Sequence, residues 1–139
     1  IDNREIPLVI ATSMTLFNRY GIDCTHYVDS SVENFASPTE NITLITDAFT
    51  TGTSLCAALE KIKGNMGKYP AHVVVCVDRM EKGVHTSLSS LHETEGRFGI
   101  KIHSIVNAED ILKAAENGVI SAGEYTEKLK EYLIRYKGE

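Results

Sequence analysis

The run His72–Asp78, HVVVCVD, constrains the fold of this chain more than any other segment. Four of its seven residues are valine, and β-branched side chains favour an extended backbone. A strand that is apolar on both faces is typical of the interior of a parallel sheet, where other elements cover both sides. We therefore predict a central, buried strand at these residues.

Strand-like and helical segments alternate along the chain around this run. A second β-branched segment is Ile42–Thr46, ITLIT, and Phe98–Val106 supplies a further strand-like segment. Between the first two strands, Leu55–Lys63 has apolar residues at helical spacing. Alternating strands and helices indicate an α/β domain with a mainly parallel central sheet flanked by helices.

The first 41 residues predict a helix, a strand and a loop. Ile6–Tyr20 has a proline in its first turn and is followed by Gly21, which suits a helix C-terminus. Cys24–Val28 then reads as a short strand, and the polar segment Asp29–Asn41 reads as a long loop.

The C-terminal third predicts two helices. Asn107 is a suitable cap for the helix AEDILKAAEN, which ends at Gly118. Ser121 and Glu124 have the spacing of a capping box for a last helix. That helix would present one stripe of large side chains: Tyr125, Leu129, Tyr132, Leu133 and Tyr136.

Composition narrows the functional classes. The chain has 139 residues and a formal net charge of −5, which is unlike the basic face of a nucleic-acid-binding module. No apolar run reaches the roughly 18 residues of a membrane helix, and the first residues, IDNREIPLVIA, do not resemble a signal peptide. We expect one domain over residues 1–139, with no nucleic-acid or membrane partner.

The three cysteines and five histidines give no metal or disulfide motif. Cys24, Cys56 and Cys76 are widely spaced and lie among apolar residues, so we expect buried, reduced thiols and a cytoplasmic location. His85 and His92 are too far apart for a compact metal site and are expected on a solvated face. The remaining histidines, in or beside predicted strands, are expected to be structural: His26, His72 and His103.

The segment after the strand ITLIT is the first candidate site. In an open α/β sheet, ligands bind beyond the carboxyl ends of the strands. Asp47–Ser54 offers a glycine, several hydroxyls and the N–H groups of the following helix, which together suit a phosphate group. Asp47 could hold a sugar diol or share a magnesium ion. The alternative is a tight strand-to-helix connection with Ser54 as the helix cap.

Several segments resemble one enzyme family. Ile42–Ser54, ITLITDAFTTGTS, resembles the phosphoribosyl pyrophosphate (PRPP) signature of type I phosphoribosyltransferases. Val73–Gly83, VVVCVDRMEKG, resembles the V-x-x-D-R-x-E-x-G segment of orotate phosphoribosyltransferases. Glu5-Ile-Pro-Leu is similar to their G-I-P-L helix start, and the C-terminal strand and helices match their layout. The resemblance implies the type I phosphoribosyltransferase fold and transfer of a phosphoribosyl group to orotate.

The resemblance also implies roles for individual residues. Asp47 would be the catalytic acidic residue at the ribose hydroxyls, and Thr50 and Arg79 would contact orotate. The alternative for Arg79 is a local ion pair with Asp78 or Glu81. Magnesium would arrive with PRPP rather than at a protein-only metal site, and the chain would form a homodimer. The residues binding PRPP and its 5′-phosphate would be Thr46, Asp47, Ala48, Phe49, Thr50, Thr51, Gly52, Thr53 and Ser54.

The chain departs from the family pattern in four places, one of which is the absence of the lysine expected just before the G-I-P-L-like segment, where Arg4 lies close by. Thr46 occupies the first of two acidic positions in the signature. Tyr27–Phe35 contains no lysine or arginine where the family has a basic loop for the diphosphate. The N-terminal segment that forms a hood over the base is not matched. Two hypotheses therefore stand: an orotate phosphoribosyltransferase domain, and a non-catalytic regulatory or assembly domain that binds a nucleotide 5′-phosphate.

Overall fold

The computed structural model describes residues 6–22 and 42–139. The predicted strand at Cys24–Val28 and the predicted loop at Asp29–Asn41 lie outside these residues. The described elements are α1 (Ile6–Tyr20), β1 (Thr43–Phe49), α2 (Thr53–Met66), β2 (His72–Asp78), α3 (Ser90–Phe98), β3 (Ile102–Asn107), α4 (Ala108–Glu116) and α5 (Tyr125–Tyr136).

The described strands form one parallel sheet in the order β1-β2-β3. The run HVVVCVD is its central strand, as predicted, and the α/β fold class is confirmed. At the carboxyl edge, Phe49 of β1 is paired with Asp78 of β2, which is paired with Asn107 of β3. The three strand ends, and the loops that follow them, are therefore neighbours.

The core lies between the sheet and the helices that pack on it. Val73 and Val75 are completely buried, whereas Val74 and Cys76, which point to the opposite face, are half-buried. The strand is therefore more deeply buried on one face than on the other, and the predicted burial of both faces is only partly met among the described residues. Helix α2 contributes four buried side chains at helical spacing: Leu55, Leu59, Ile62 and Met66.

Several element bounds differ from the predicted ones. Strand β1 continues three residues beyond Thr46, and α2 begins at Thr53, two residues earlier than predicted. The loop between them is therefore only Thr50–Gly52. Phe98 was predicted to begin a strand, which is wrong, because it ends α3 and packs in the core.

The helix ends follow the predicted caps only in part. Helix α1 ends at Tyr20, as predicted, and Gly21 follows it at φ 66°. Asn107 caps α4 by accepting from the Asp110 N–H at 2.9 Å, and Asp110 completes a capping box. The predicted box of Ser121 and Glu124 is wrong, since Glu124 is the α5 cap and makes no side-chain capping bond.

The predicted stripe on α5 is only partly buried. Leu133 is buried and Leu129 and Tyr132 are half-buried, whereas Tyr125 and Tyr136 are exposed. Among the described residues, no helix has the length and apolar character needed to cross a membrane.

The cysteines and histidines lie nearer the surface than predicted. Cys56 and Cys76 carry free thiols and are half-buried rather than fully buried, and Cys24 and His26 lie outside the described residues. His72 and His103 are exposed on their strands, so they are not core histidines.

Candidate functional site

Two loops at the carboxyl edge of the sheet form the candidate site. The first connects β1 to α2 and is called the β1–α2 loop (Thr50–Gly52). The second follows β2 and is called the β2 loop (Arg79–Gly83). The Arg79 N–H donates to the Phe49 carbonyl at 3.0 Å, so the two loops are joined where they leave the sheet.

The β1–α2 loop depends on a glycine at its centre. Gly52 is buried and has φ 76°, in the left-handed region that favours glycine. A Cβ atom there would lie 2.8 Å from Thr94 Oγ1 and 2.9 Å from Phe49 Cζ. Gly52 caps α2 through its backbone, since its carbonyl accepts from the Cys56 N–H at 2.8 Å. The alternative with Ser54 as the cap is wrong, because Ser54 lies inside the helix.

The start of α2 gives this loop the chemistry of an anion site. The first N–H groups of a helix have no acceptor within the helix, and they carry the positive end of its dipole. Thr51 and Thr53 are both exposed beside these groups, with their Oγ1 atoms 3.1 Å apart. The loop therefore presents backbone N–H groups and hydroxyls on one side, which is the donor set that a phosphate group accepts from.

The structure places Asp47 within β1 instead of after the strand. Its side chain is exposed, and its Oδ1 accepts from the N–H of the next residue, Ala48, at 2.6 Å. Thr46, at the position of the missing carboxylate, is half-buried. Asp47 thus offers a solvent-accessible carboxylate two residues before the strand ends, next to the loop.

Arg79 is held by two neighbours in the structure. Its Nε lies 3.3 Å from Glu81 Oε1, and its guanidinium carbon lies 5.0 Å from the centre of the Tyr132 ring. The Tyr132 hydroxyl also donates to Glu81. The local pair with Glu81, the alternative considered for Arg79, is therefore present. The Arg79 side chain is 46% exposed, and a guanidinium has five N–H donors, so this pairing still leaves donors for a ligand carboxylate.

Two ionisable groups, the buried Asp78 and the half-buried Tyr132, contact the β2 loop. Burial raises the pKa of the Asp78 carboxyl, and its Oδ1 accepts from the Met80 N–H at 2.9 Å. This bond supports Met80 in a left-handed conformation, with φ 60°. Burial and the hydrogen bond to Glu81 raise the pKa of Tyr132 to about 12, so its hydroxyl stays a neutral donor at physiological pH.

Helix α3 supplies contacts that the sequence analysis did not include. The Ser90 hydroxyl donates to the Thr50 carbonyl, and the Ser90 N–H donates to the Glu81 carbonyl at 2.7 Å. Thr94, one turn further, lies beside Gly52. The signal available in the sequence was the spacing of Ser90 and Thr94, which puts two small hydroxyl residues on one helix face next to the apolar Leu91 and Phe98.

The two histidines near α3 do not form a metal site. His92 Nδ1 is 2.9 Å from Ser89 Oγ, whereas His85 contributes its backbone N–H to Glu93 at 3.1 Å. Within residues 6–22 and 42–139, no group of three or more His, Cys, Asp or Glu side chains could hold a metal ion.

Comparison with known proteins finds similar chains that share one name. No protein-family model matches the chain. Orotate phosphoribosyltransferase from Bifidobacterium animalis subsp. lactis is 26% identical over 150 residues, covering 96% of this chain and 65% of the relative. The Vibrio parahaemolyticus protein of the same name is 31% identical over 148 residues, with the same coverage. The chain therefore spans about 65% of the length of the curated relatives that it matches.

A solved structure gives the same assignment. The crystal structure of orotate phosphoribosyltransferase from Francisella tularensis matches with a TM-score of 0.68 and 25% sequence identity, covering 96% of this chain and 66% of that chain. The parallel sheet and the β1–α2 loop therefore belong to a type I phosphoribosyltransferase fold. Within this class, the chain is a divergent relative of the orotate phosphoribosyltransferases.

Proposed function

We propose that this chain carries the PRPP- and orotate-binding part of an orotate phosphoribosyltransferase-type site. The reaction would join orotate to PRPP and give orotidine 5′-monophosphate and diphosphate, a step of pyrimidine nucleotide biosynthesis. The observation that carries the proposal is the direct link between the two loops, because the Arg79 N–H donates to the Phe49 carbonyl. A phosphate donor set and an arginine suited to a carboxylate thereby share one edge of the sheet.

The β1–α2 loop would bind the 5′-phosphate. The first N–H groups of α2 would donate to the phosphate oxygens, with hydroxyl donors from Thr51 and Thr53. Because Gly52 has no side chain, the loop can pack closely against Thr94 and Phe49 and make the turn that leads into α2. We assign Thr46–Ser54 as a whole to PRPP binding, with Asp47 accepting hydrogen bonds from the ribose hydroxyls.

The β2 loop would bind the base. Arg79 would oppose the orotate carboxylate, since a guanidinium can engage a carboxylate through two parallel hydrogen bonds. Its pairing with Glu81 and its stacking on Tyr132 would hold the guanidinium in place before the ligand arrives. Thr50, the first residue of the β1–α2 loop, would also contact the base.

The chain's residues would act by positioning the two reactants. The bond from ribose C1′ to the diphosphate oxygen would break, the bond from C1′ to orotate N1 would form, and the N1 proton would pass to the departing diphosphate. Holding C1′ and N1 in line lowers the entropic part of the barrier. Asp47 would steady the ribose while positive charge develops on it.

Magnesium fits this site only as an ion shared with the substrate. The exposed Asp47 carboxylate is the one acidic group within Thr43–Ser54. Mg²⁺ is often bound through one or two carboxylates together with substrate phosphates. We therefore propose that Asp47 and the oxygens of PRPP would hold it together, and that it would neutralise charge on the diphosphate.

The charge of the surrounding sequence favours a second candidate function. No lysine or arginine occurs from Tyr20 to Glu60, whereas this stretch contains six acidic residues. Stabilising the charge of a leaving diphosphate requires cations, and removing such groups costs about 3 kcal/mol or more of transition-state stabilisation. A regulatory or assembly domain that binds a nucleotide 5′-phosphate would need only the β1–α2 loop. We propose a homodimer in either case, and a partner subunit could supply the cations.

Isothermal titration separates the two functions. The chain is titrated with PRPP, with and without Mg²⁺, and separately with orotidine 5′-monophosphate. Micromolar, magnesium-dependent binding of PRPP supports the transferase, and formation of orotidine 5′-monophosphate from orotate then completes the test. Binding of the monophosphate alone supports the regulatory domain. Binding of neither ligand would contradict both candidates.

A further inference from the structure

Ser90 contacts both loops of the candidate site at once. Its hydroxyl donates to the Thr50 carbonyl of the β1–α2 loop, 40 residues away in sequence. Its backbone N–H donates to the Glu81 carbonyl of the β2 loop at 2.7 Å. The side chain is 2% exposed, so water does not compete for the first bond.

The hydroxyl of Ser90 is not needed for the helix that carries it. Ser89 caps α3, since its side chain accepts from the His92 N–H. Ser90 is the first residue of α3, where an N–H has no acceptor within the helix, and the Glu81 carbonyl satisfies that donor. Its hydroxyl is therefore available to the neighbouring loop.

Thr94 supports the same loop by contact one turn along α3. Its Oγ1 donates to the Ser90 carbonyl at 2.8 Å and lies beside Gly52, where a Cβ atom would be only 2.8 Å away. Helix α3 thus meets the β1–α2 loop at both Thr50 and Gly52. A side chain of α3 therefore fixes the carbonyl of Thr50, just beyond the end of β1.

We infer that Ser90 is a positioning residue. It holds the β1–α2 loop in the conformation that binds a 5′-phosphate, and it fixes the position of this loop relative to the β2 loop. This inference rests on the proposed function and names a residue of α3 that acts through the loop rather than on the ligand. A cradle of backbone N–H groups binds well only when those groups already point in the required directions. The hydrogen bond from the Ser90 hydroxyl, which lies outside the loop, would keep these N–H groups in that orientation.

The first test needs no ligand. Hydrogen exchange of the Cys56 amide, which donates to the Gly52 carbonyl of the loop at 2.8 Å, is measured by NMR in the unliganded wild type and in Ser90→Ala. We expect exchange about tenfold faster in the variant, because one hydrogen bond of ordinary strength is lost. Ser87→Ala is the control, since the Ser87 hydroxyl bonds to Glu139 on the surface. Equal exchange in Ser90→Ala and the wild type would overturn the inference.

The second test compares two ligands that differ only in the phosphate. The affinity for orotidine 5′-monophosphate is divided by that for orotidine in each variant. Ser90→Ala should lower this ratio about fivefold to tenfold, and Ser87→Ala should leave it within about twofold. A general loss of structure would weaken both ligands and leave the ratio unchanged, which would contradict a positioning role.

A third variant keeps the test valid if Ser90→Ala folds poorly. Ser90→Cys preserves the size of the side chain, but a thiol is a weak donor. It should give an exchange rate and a ligand ratio between those of wild type and Ser90→Ala, and wild-type values would overturn the inference. If the wild type binds no monophosphate, the proposed function fails, and the exchange rates alone decide whether Ser90 orders the loop.

Discussion

The two loops of the site are built in different ways. In the β1–α2 loop the backbone is tightly fixed, with Gly52 buried and the Thr50 carbonyl bonded to Ser90, while Thr51 and Thr53 are exposed. In the β2 loop the side chain that matters, Arg79, is engaged by Glu81 and by the ring of Tyr132. One loop offers fixed backbone donors, and the other offers a charged side chain already held by protein groups.

This difference indicates that the two loops would contribute unequally to binding. A phosphate on the β1–α2 loop would meet donors that need no rearrangement, so most of the binding energy would be realised there. A carboxylate at Arg79 would compete with Glu81 for the guanidinium, and the site is partly exposed, which weakens the interaction. Affinity should therefore depend mainly on the first loop, and choice of base on the second.

Substitution of Gly52 should have the largest effect. Gly52→Val places a β-branched residue at φ 76°, where its Cβ would lie within 3.0 Å of both Thr94 and Phe49. We expect loss of at least about 100-fold in affinity for orotidine 5′-monophosphate, measured by isothermal titration, together with a lower unfolding midpoint.

A second glycine gives the control for this variant. Gly64 lies exposed in α2 with open space around its Cα, so Gly64→Ala should stabilise the chain by about 0.5–1 kcal/mol and leave affinity unchanged. If Gly52→Val binds the monophosphate as tightly as the wild type does, the β1–α2 loop does not bind phosphate.

Arg79 should show a smaller, base-specific effect. Arg79→Ala removes the guanidinium that opposes the orotate carboxylate, so affinity for orotidine 5′-monophosphate should fall about tenfold. Uridine 5′-monophosphate lacks that carboxylate, and its affinity should change less than about twofold. Equal losses of affinity for the two nucleotides in parallel titrations would show that Arg79 does not bind the carboxylate of the base.

Substitution of Asp47 should weaken the binding of the ribose without weakening the binding of the phosphate. Asp47→Asn weakens the acceptor of the ribose hydroxyls, so we expect affinity for orotidine 5′-monophosphate to fall about threefold to tenfold. Inorganic phosphate should bind at least as well as before, because a negative charge near the loop is removed. Competition titrations with both ligands measure this, and a loss shared by phosphate would argue against the ribose role.

The smallest effect concerns Tyr132. Tyr132→Phe keeps the ring beneath Arg79 but removes the hydrogen bond to Glu81, which should cost about 0.5–1.5 kcal/mol of unfolding free energy at neutral pH. Because the folded-state pKa is raised from 10.0 to about 12, this stability is present below pH 10 and is lost as pH rises toward about 12. Urea unfolding of both proteins at pH 8 and at about pH 11.5 should show the difference shrinking, and a constant difference would contradict it.

The sheet was the most predictable part of the chain. The bounds of β2 follow from its sequence, because an unbroken β-branched run has few other stable environments. The end of β1 was harder to predict, since Asp47 is exposed and the strand is prolonged by pairing of Ala48 and Phe49 with β2. Capping at Asn107 was predictable, because it depends only on neighbouring residues. Ser121 and Glu124 have the spacing of a capping box, but Glu124 is itself the cap of α5 and makes no side-chain capping bond.

The candidate site was predictable at its two loops and not at the contacts between them. The composition of the strand-to-helix turn points to the loop around Gly52, whereas Arg79 was assigned through the resemblance of VVVCVDRMEKG to a family segment. The bond from Ser90 to Thr50 and the stacking of Arg79 on Tyr132 join residues far apart in sequence. Only the packing of α3 and α5 against the sheet edge brings these groups together.

The most direct test of the account is a site-resolved titration with orotidine 5′-monophosphate. Backbone amide resonances of the chain are followed by NMR as the nucleotide is added, with orotidine as the ligand lacking phosphate. We predict that the largest shifts fall on the amides of Thr51–Ser54 and need the phosphate, with smaller shifts at Arg79 for both ligands. Shifts confined to other parts of the chain, or none at all, would contradict the central claim that the β1–α2 loop binds a nucleotide 5′-phosphate.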